Sequence, residues 1–378
     1  MKSRKILALA GAAIMLVAGG AVIAQEGPKR DVGETVAKPR KKDAPAGEAE
    51  QSKIPSRLSG KNKENLPDTL PSFTSDVQVV QVDVAVLDNK GRFIPNIPQG
   101  NFRILEDNVP QQLASFQMGE APMTVALVIE FSNLYQQYWS EAWYQTLTAS
   151  YGFLETLKPE DYVAVVAYDI RPEILSDFST DKRQAYEAMQ RLRIAAFSES
   201  NLYDAITDTA DRMSEIEGRK SIVLISSGID TFSKLTFDKT RKILQNAGVP
   251  IYAVGLMQAL REWYDARGYM GSIARLDFLQ ADNQMRTFAK ETGGQSFFPR
   301  FYGEFPGIFR AIHEAMRNQY SITYNPSNQA RDGKFRKIKV ELVDPKTNQP
   351  LRIVDEKGKP IKYQILAKSG YTAPREVE

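Results

Sequence analysis

The stretch VALVIEFSNLYQQYW, Val125–Trp139, sets a carboxylate and a hydroxyl, Glu130 and Ser132, two residues apart where an apolar run ends. Hard oxygen donors of this kind suit a divalent cation such as Mg²⁺. The same two side chains also suit a helix N-terminus, where serine caps and a carboxylate meets the positive end of the helix dipole. Five aromatic residues follow in quick succession: Tyr135, Tyr138, Trp139, Trp143 and Tyr144. Trp139 and Trp143, spaced i and i+4, share one helix face and read as core. Tyr135 and Tyr138 come straight after the strand, where exposed tyrosines serve as interface anchors.

The rest of the chain offers little chemistry. Cysteine is absent and His313 is the single histidine, which excludes Cys/His zinc patterns and His-based catalytic triads. The glycines of ETGG follow a helical stretch instead of opening one, so no phosphate loop is expected there. Glu160/Asp161 and Glu341/Asp344 read as separate surface acids, with nothing to set them opposite one another as in a glycoside hydrolase. No nucleophile, base and orienting group stand at suggestive spacing, so the expectation is a protein that is not an enzyme.

The charge balance is 49 basic against 46 acidic side chains, but Lys2, Arg4 and Lys5 precede the first apolar run; without them the count is 46 of each. No Lys/Arg stripe with interleaved aromatics points to nucleic acid. Residues 1–24, MKSRKILALAGAAIMLVAGGAVIA, have the basic start, apolar run and small-residue end of an export signal. The run from Ile6 to Ile23 is also just long enough to span a bilayer, so cleavage after Ala24 and retention as an N-terminal anchor both stand. Either way an exported protein is expected, in the periplasm, the envelope or the medium, with a membrane involved only through that anchor. Residues 25–72 have no aromatic residue and are rich in Pro, Gly, Lys, Glu and Ala; they read as a disordered linker that spans roughly 40 Å.

Positioning of Glu130 and Ser132 falls to the elements around them. Residues 73–120 alternate like short strands, with Val77, Val79, Val82, Val84 and Val86 leading into the DNKG turn and then FRILED and LASFQM. These are half a β-module. From 121 to 318, the apolar strands MTVALVIEF, DYVAVVAYD, KSIVLISSG and VPIYAVGL alternate with helical stretches near 136–157, 181–194, 202–216 and 237–247. That pattern predicts an α/β fold with a doubly wound, mostly parallel sheet whose ligands bind at the carboxyl ends of the strands. After Gly255 a long segment carrying Trp263, Tyr264 and Tyr269 reads as a lid, an insertion or a contact surface. A helix ending at ETGG, a short edge strand QSFFPR and a last helix complete the unit. Residues 319–374 alternate again in YSITYNP, GKFRKIKVELV and IKYQILA. They are the expected partners of 73–120, which makes the α/β unit an insertion in a small antiparallel β-module.

In this order and spacing, VDVAVLDNKGRFIPNIPQGNFRILEDNVPQQLASF, TVALVIEFS, NLYDAI, SIVLISSGID, ETGG, RNQYSITYNP and AKSGYTA resemble the exported VWFA-related proteins typified by acidobacterial sequences. Those proteins are built around a von Willebrand factor A domain, which typically carries a metal-ion-dependent adhesion site. The resemblance covers about residues 76–374. It places the first Asp of that site on Glu130, its two serines on Ser132 and Leu134, its Thr on Ser200 and its later Asp on Ser227. Leu134 has no ligand atom and Ser227 lacks a charge, so the resemblance implies a degenerate site for an ion that demands near-ideal octahedral oxygen coordination.

The expected function is therefore a non-enzymatic, adhesion-type interaction with another protein at the C-terminal edge of the sheet, without cofactor or metal. Glu130, Ser132, Tyr135, Tyr138, Ser200, Ser227, Trp263 and Tyr264 are the candidate contact residues. Two alternatives stand beside it. One is a working Mg²⁺ site built from Glu130, Ser132, Ser200 and Asp230. The other is a structural subunit of an envelope or surface assembly, with self-association through the 262–269 segment or strand pairing at SFFPR.

Overall fold

A computed structural model describes residues 79–119, 121–133, 147, 150–192, 197–268, 272–355 and 357–375. The expected leader, the linker, Leu134, Tyr135, Tyr138, Trp139, Trp143 and Tyr144 lie outside the described residues.

The chain opens with β1 (Val80–Asp88), β2 (Phe102–Glu106), β3 (Val109–Gln111) and β4 (Leu113–Gly119). The α/β unit follows: β5 (Met123–Glu130), β6 (Tyr162–Tyr168), β7 (Pro172–Ser179), α1 (Lys182–Gln190), α2 (Leu202–Ser214), β8 (Arg219–Ser226), α3 (Phe237–Ala247) and β9 (Ile251–Gly255). It is completed by α4 (Gln258–Ala266), α5 (Ser272–Thr292), β10 (Ser296–Phe297) and α6 (Phe305–Arg317). The chain then returns through β11 (Gln319–Tyr324), β12 (Phe335–Leu342), β13 (Ile353–Val354), β14 (Pro360–Ile361), β15 (Tyr363–Leu366) and β16 (Gly370–Thr372).

Six strands form the central sheet in the order β10-β9-β8-β5-β6-β7. All its pairings are parallel except that of β7, which runs antiparallel to β6. β5 lies in the middle and every one of its residues is buried. Alternation then divides its side chains between two cores. Val125, Leu127 and Ile129 pack with Phe153, Ala185, Met189, Phe309 and Ile312 on one face, and Ala126 and Val128 with Leu202, Ile206, Leu224 and Phe288 on the other. Helices cover both faces, as a buried parallel sheet requires.

The α/β unit is inserted in an antiparallel module. β1 pairs with β11 across some 240 residues of sequence and with β15 across some 280, with Val82 opposite Ile322 and Val86 opposite Ile365. β2 pairs with β12, and two four-stranded sheets, β15-β1-β11-β4 and β16-β12-β2-β3, enclose a third core. Val80, Val82, Val84 and Val86 point into that core, while Ala85 and Leu87 on the opposite face of β1 join the core of the α/β unit. The two chain crossings between module and insertion meet at one side chain, Arg219 of β8, whose guanidinium donates to the carbonyls of Gly119 and Arg317.

Three expectations are corrected. The helix expected at NQMRTFAKETGG begins earlier, as α5 at Ser272, and α4 precedes it in the segment expected to be a lid, an insertion or a contact surface. β7 has no counterpart in the sequence reading; as an edge strand half exposed along its length, it lacks the apolar run that marked its neighbours. Asp161, expected at the surface, is buried in an ion pair with Arg317. Among the described residues no helix is long and apolar enough to cross a membrane.

Candidate functional site

Register builds the site. Glu130 ends β5, Tyr168 ends β6 and Ser226 ends β8, so the three adjacent parallel strands deliver three polar side chains to one row at their carboxyl ends. Glu130 and Ser132 are both 0% exposed. The Ser132 hydroxyl donates to Glu130 Oε1 at 2.8 Å. Glu130 Oε2 accepts from the Ser226 hydroxyl at 3.0 Å and from the Ser227 backbone N–H at 2.6 Å. Ser226 Oγ in turn accepts from the Tyr168 hydroxyl at 2.7 Å and from the Gly228 N–H at 2.8 Å. Gly228 has φ +78°, and a Cβ there would stand 2.7 Å from the Met285 methyl, so the turn after β8 admits only glycine against α5.

The network settles a charge that has no cation beside it. No ion pair reaches Glu130 among the described residues; three hydrogen bonds, charge-assisted and therefore stronger than neutral ones, hold its carboxylate instead. Burial first, and the negative Glu130 second, push the Tyr168 phenol well above its ordinary pKa, so it stays a donor.

Residues 197–201 ahead of α2 and the loop after β8 are tied together beside this row. The Ser200 carbonyl accepts from the N–H groups of Thr231 and Phe232 at 2.8 and 3.0 Å, and the Ser200 N–H donates to Thr231 Oγ1 at 2.9 Å. Asp230 Oδ1 accepts from the Tyr203 N–H at 3.2 Å in the first turn of α2. Asp204 of α2 returns the favour, accepting from the N–H groups of Lys234 and Leu235 at 3.1 Å each. The Asp230 contact satisfies an orphan donor at the start of α2, and the Asp204 contacts hold the loop ahead of α3. Burial raises the Asp230 pKa against the lowering effect of its hydrogen bonds from Ser233 and the backbone.

Four of the sequence candidates, Glu130, Ser132, Ser200 and Ser227, are thus brought together, and all four are buried. In that position their side chains lie beneath the surface of the edge. Asp230 lies beside them but serves as a cap. Trp263 and Tyr264 fall on α4.

The donor set is a poor match for Mg²⁺. Glu130 is its one central carboxylate and already accepts three hydrogen bonds, Ser132, Ser200 and Ser227 bring no charge, and Asp230 accepts from the first turn of α2. Among the described residues no three His, Cys, Asp or Glu side chains converge to hold a metal.

Two aromatics were missed in the sequence. Phe232, 56% exposed, follows the SSGID turn, and Phe197, 40% exposed, precedes α2. The Phe232 N–H binds the Ser200 carbonyl, and the Phe197 carbonyl accepts from the Asn133 N–H at 2.6 Å, so both backbones are laced to the site. The available signal was a lone phenylalanine in each of two polar loops, FSESN and SGIDTFS.

A model of the von Willebrand factor type A domain matches residues 133–229, the span from the end of β5 to the turn after β8. The chain carries a von Willebrand factor A domain. No functionally curated protein matches the sequence. Among solved structures, the chain is similar to a von Willebrand factor type A protein from Catenulispora acidiphila, at 10% identity over 79% of this chain and 75% of that one, with a TM-score of 0.38. It is similar to proximal thread matrix protein 1 from the mussel byssus, at 12% identity over 56% of this chain and TM-score 0.40; it spans 51% of that protein. It is also similar to the vWF domain of the type V pili tip protein Mfa5 from Porphyromonas gingivalis, at 14% identity over 52% of this chain and 97% of that one, TM-score 0.35.

Proposed function

We propose that this protein is an exported, non-enzymatic binding protein whose A domain engages a protein partner through the C-terminal edge of its sheet, without a metal ion. The observation that carries this reading is the state of Glu130: its carboxylate is already held by hydrogen bonds from Ser132, Ser226 and Ser227, beneath a rim that exposes Phe197 and Phe232. A metal-dependent contact needs an open ligand position on the ion; here the carboxylate stiffens two loops and the loops present aromatic rings. Exposed aromatics at a rigid edge are the common anchors of protein interfaces. Export follows from the basic and apolar leader, and a site for the envelope or medium is part of the same proposal.

The experiment is retention of the purified protein on native envelope fractions, with and without EDTA, for the wild type and for Phe197→Ser/Phe232→Ser. The expected result is retention that ignores EDTA and is lost in the double variant. Retention abolished by EDTA and restored by Mg²⁺ would sink the metal-free reading. Retention unchanged in the double variant would move the contact away from this edge.

A further inference from the structure

A second surface lies on the flank of the molecule, away from the strand ends. β10 is the last strand on one side of the central sheet and β15 is the last strand of one module sheet. Neither outer edge carries a backbone hydrogen bond among the described residues. The two strands converge where α5 ends. There the Ser369 N–H and hydroxyl both donate to the Glu291 carbonyl at 2.9 Å, and a Cβ on Gly293 would stand 2.6 Å from the Lys368 nitrogen. From that fixed apex the edges open into a groove of about 910 Å³ that takes in Ser296 of β10 and Ile365 and Leu366 of β15. It continues past Gln295 and Gln364 into a second hollow of about 690 Å³.

The groove is basic. Arg241, Arg286, Lys290, Lys337 and Lys339 line it against a single carboxylate, Glu291. Glu291 is neutralised by Arg241 at 2.6 Å, and Lys339 is paired with Glu341 at 2.8 Å outside the lining. Arg286, Lys290 and Lys337 are exposed and form no ion pair among the described residues; Arg286 lies over the Phe298 ring at 4.0 Å. Lysines beside an edge strand also guard it against pairing with a second copy. Here that repulsion and an attraction have the same cause: a second basic groove is refused, and an acidic strand is drawn in.

We propose that this groove takes an extended, acidic peptide segment of a partner protein, which adds a strand to the edge of β10 or β15 and sets its carboxylates against Arg286, Lys290 and Lys337. Strand addition supplies the backbone pairing, and the side chains on alternate positions supply the selection. The linker of this chain is a poor occupant, since residues 25–72 hold ten basic and eight acidic side chains. The surface is separate from the C-terminal edge and its test does not depend on that reading.

Fluorescence anisotropy with the full-length protein tests it. The probes are a labelled decapeptide of alternating Glu and Val, the same peptide with Lys for Glu, and the Glu peptide N-methylated on alternate amides. Ten-base oligothymidylate and phosphatidylglycerol vesicles serve as competitors. The Glu peptide should bind, the Lys peptide should not, and N-methylation should weaken binding by at least about tenfold, because it removes the edge hydrogen bonds and keeps every charge. Arg286→Glu/Lys290→Glu/Lys337→Glu, all at exposed positions, should also weaken it by at least about tenfold. Equal binding of the N-methylated peptide, indifference to the triple variant, or displacement by oligothymidylate or vesicles at concentrations below that of the unlabelled Glu peptide would each overturn the proposal.

Discussion

Arg317 at the end of α6 and Asp161 ahead of β6 form an ion pair that water does not reach, the two side chains being 4% and 0% exposed. Asp161 also accepts from the N–H of Met123 at 2.9 Å and of Lys158 at 2.7 Å. One carboxylate thus joins the start of β5, the turn before β6 and the helix that leads back to the module. Burying such a pair gives little net stability, but breaking it leaves the surviving charge without a partner. Asp161→Ala should therefore cost about 3–5 kcal/mol in urea unfolding at pH 7. A loss below about 1 kcal/mol would show that Arg317 finds another partner.

His313 extends the same cluster. Its Nε2 accepts from Arg317 Nε at 3.1 Å, which requires a neutral ring. Burial first, then the Arg317 charge, lower its pKa from the ordinary 6.5, while Glu314 and Asp161 pull the other way and Lys158 adds to the lowering. The unfolded chain binds a proton below 6.5 that the folded chain refuses, so stability is complete above that pH and declines as pH falls through it. His313→Gln keeps an acceptor and removes the titration. Between pH 7.5 and 5.5 the wild type should lose more thermal stability than the variant; parallel melting curves would contradict this.

The sheet was legible because its central strands are continuous apolar runs such as VALVI and IVLIS, which only a strand buried on both faces tolerates. β7 was not, because RPEILSDFST alternates weakly and its pairing with β6 slips in register twice. The helical character of α4 and the early start of α5 are masked in the sequence by Gly268 and the aromatics, which interrupt the helical period. At the site, the candidate positions were visible, but the hydrogen bonds that hold Glu130 were not. Ser226 and Tyr168 meet Glu130 only through the register of three strands, a relation no single segment contains. The exposed Phe197 and Phe232 carry no periodic signal at all.

The hydrogen bonds that hold Glu130 make a metal test available through stability. Wild-type thermal unfolding should be unmoved by millimolar Mg²⁺, since a ligand stabilises only a state that binds it. Glu130→Asp/Leu134→Ser/Ser227→Asp restores the oxygen donors that the resemblance lacks and sets two carboxylates side by side. Without a cation that variant should melt below the wild type, because like charges repel in a dry site, and Mg²⁺ should raise its Tm. A Mg²⁺-dependent rise in the wild type would reverse the conclusion.

Asp208 on α2 offers the opposite pH dependence from His313. Burial first, then the neighbouring charges of Asp204 and Asp211, push its carboxyl from 3.8 to about 6, with Lys234 opposing. Between those values the folded chain holds a proton that the unfolded chain has released, so stability falls as pH rises from 3.8 through 6 and stays reduced above. Asp208→Asn removes the charge and keeps the shape. The side chain is only half buried, so solvent screening limits the gain to about 1 kcal/mol at pH 7. The gain should shrink to nothing below about pH 4, where both carboxyl states are protonated. Urea unfolding of both proteins at pH 7 and pH 4 measures it, and an equal difference at the two values would remove Asp208 from the account.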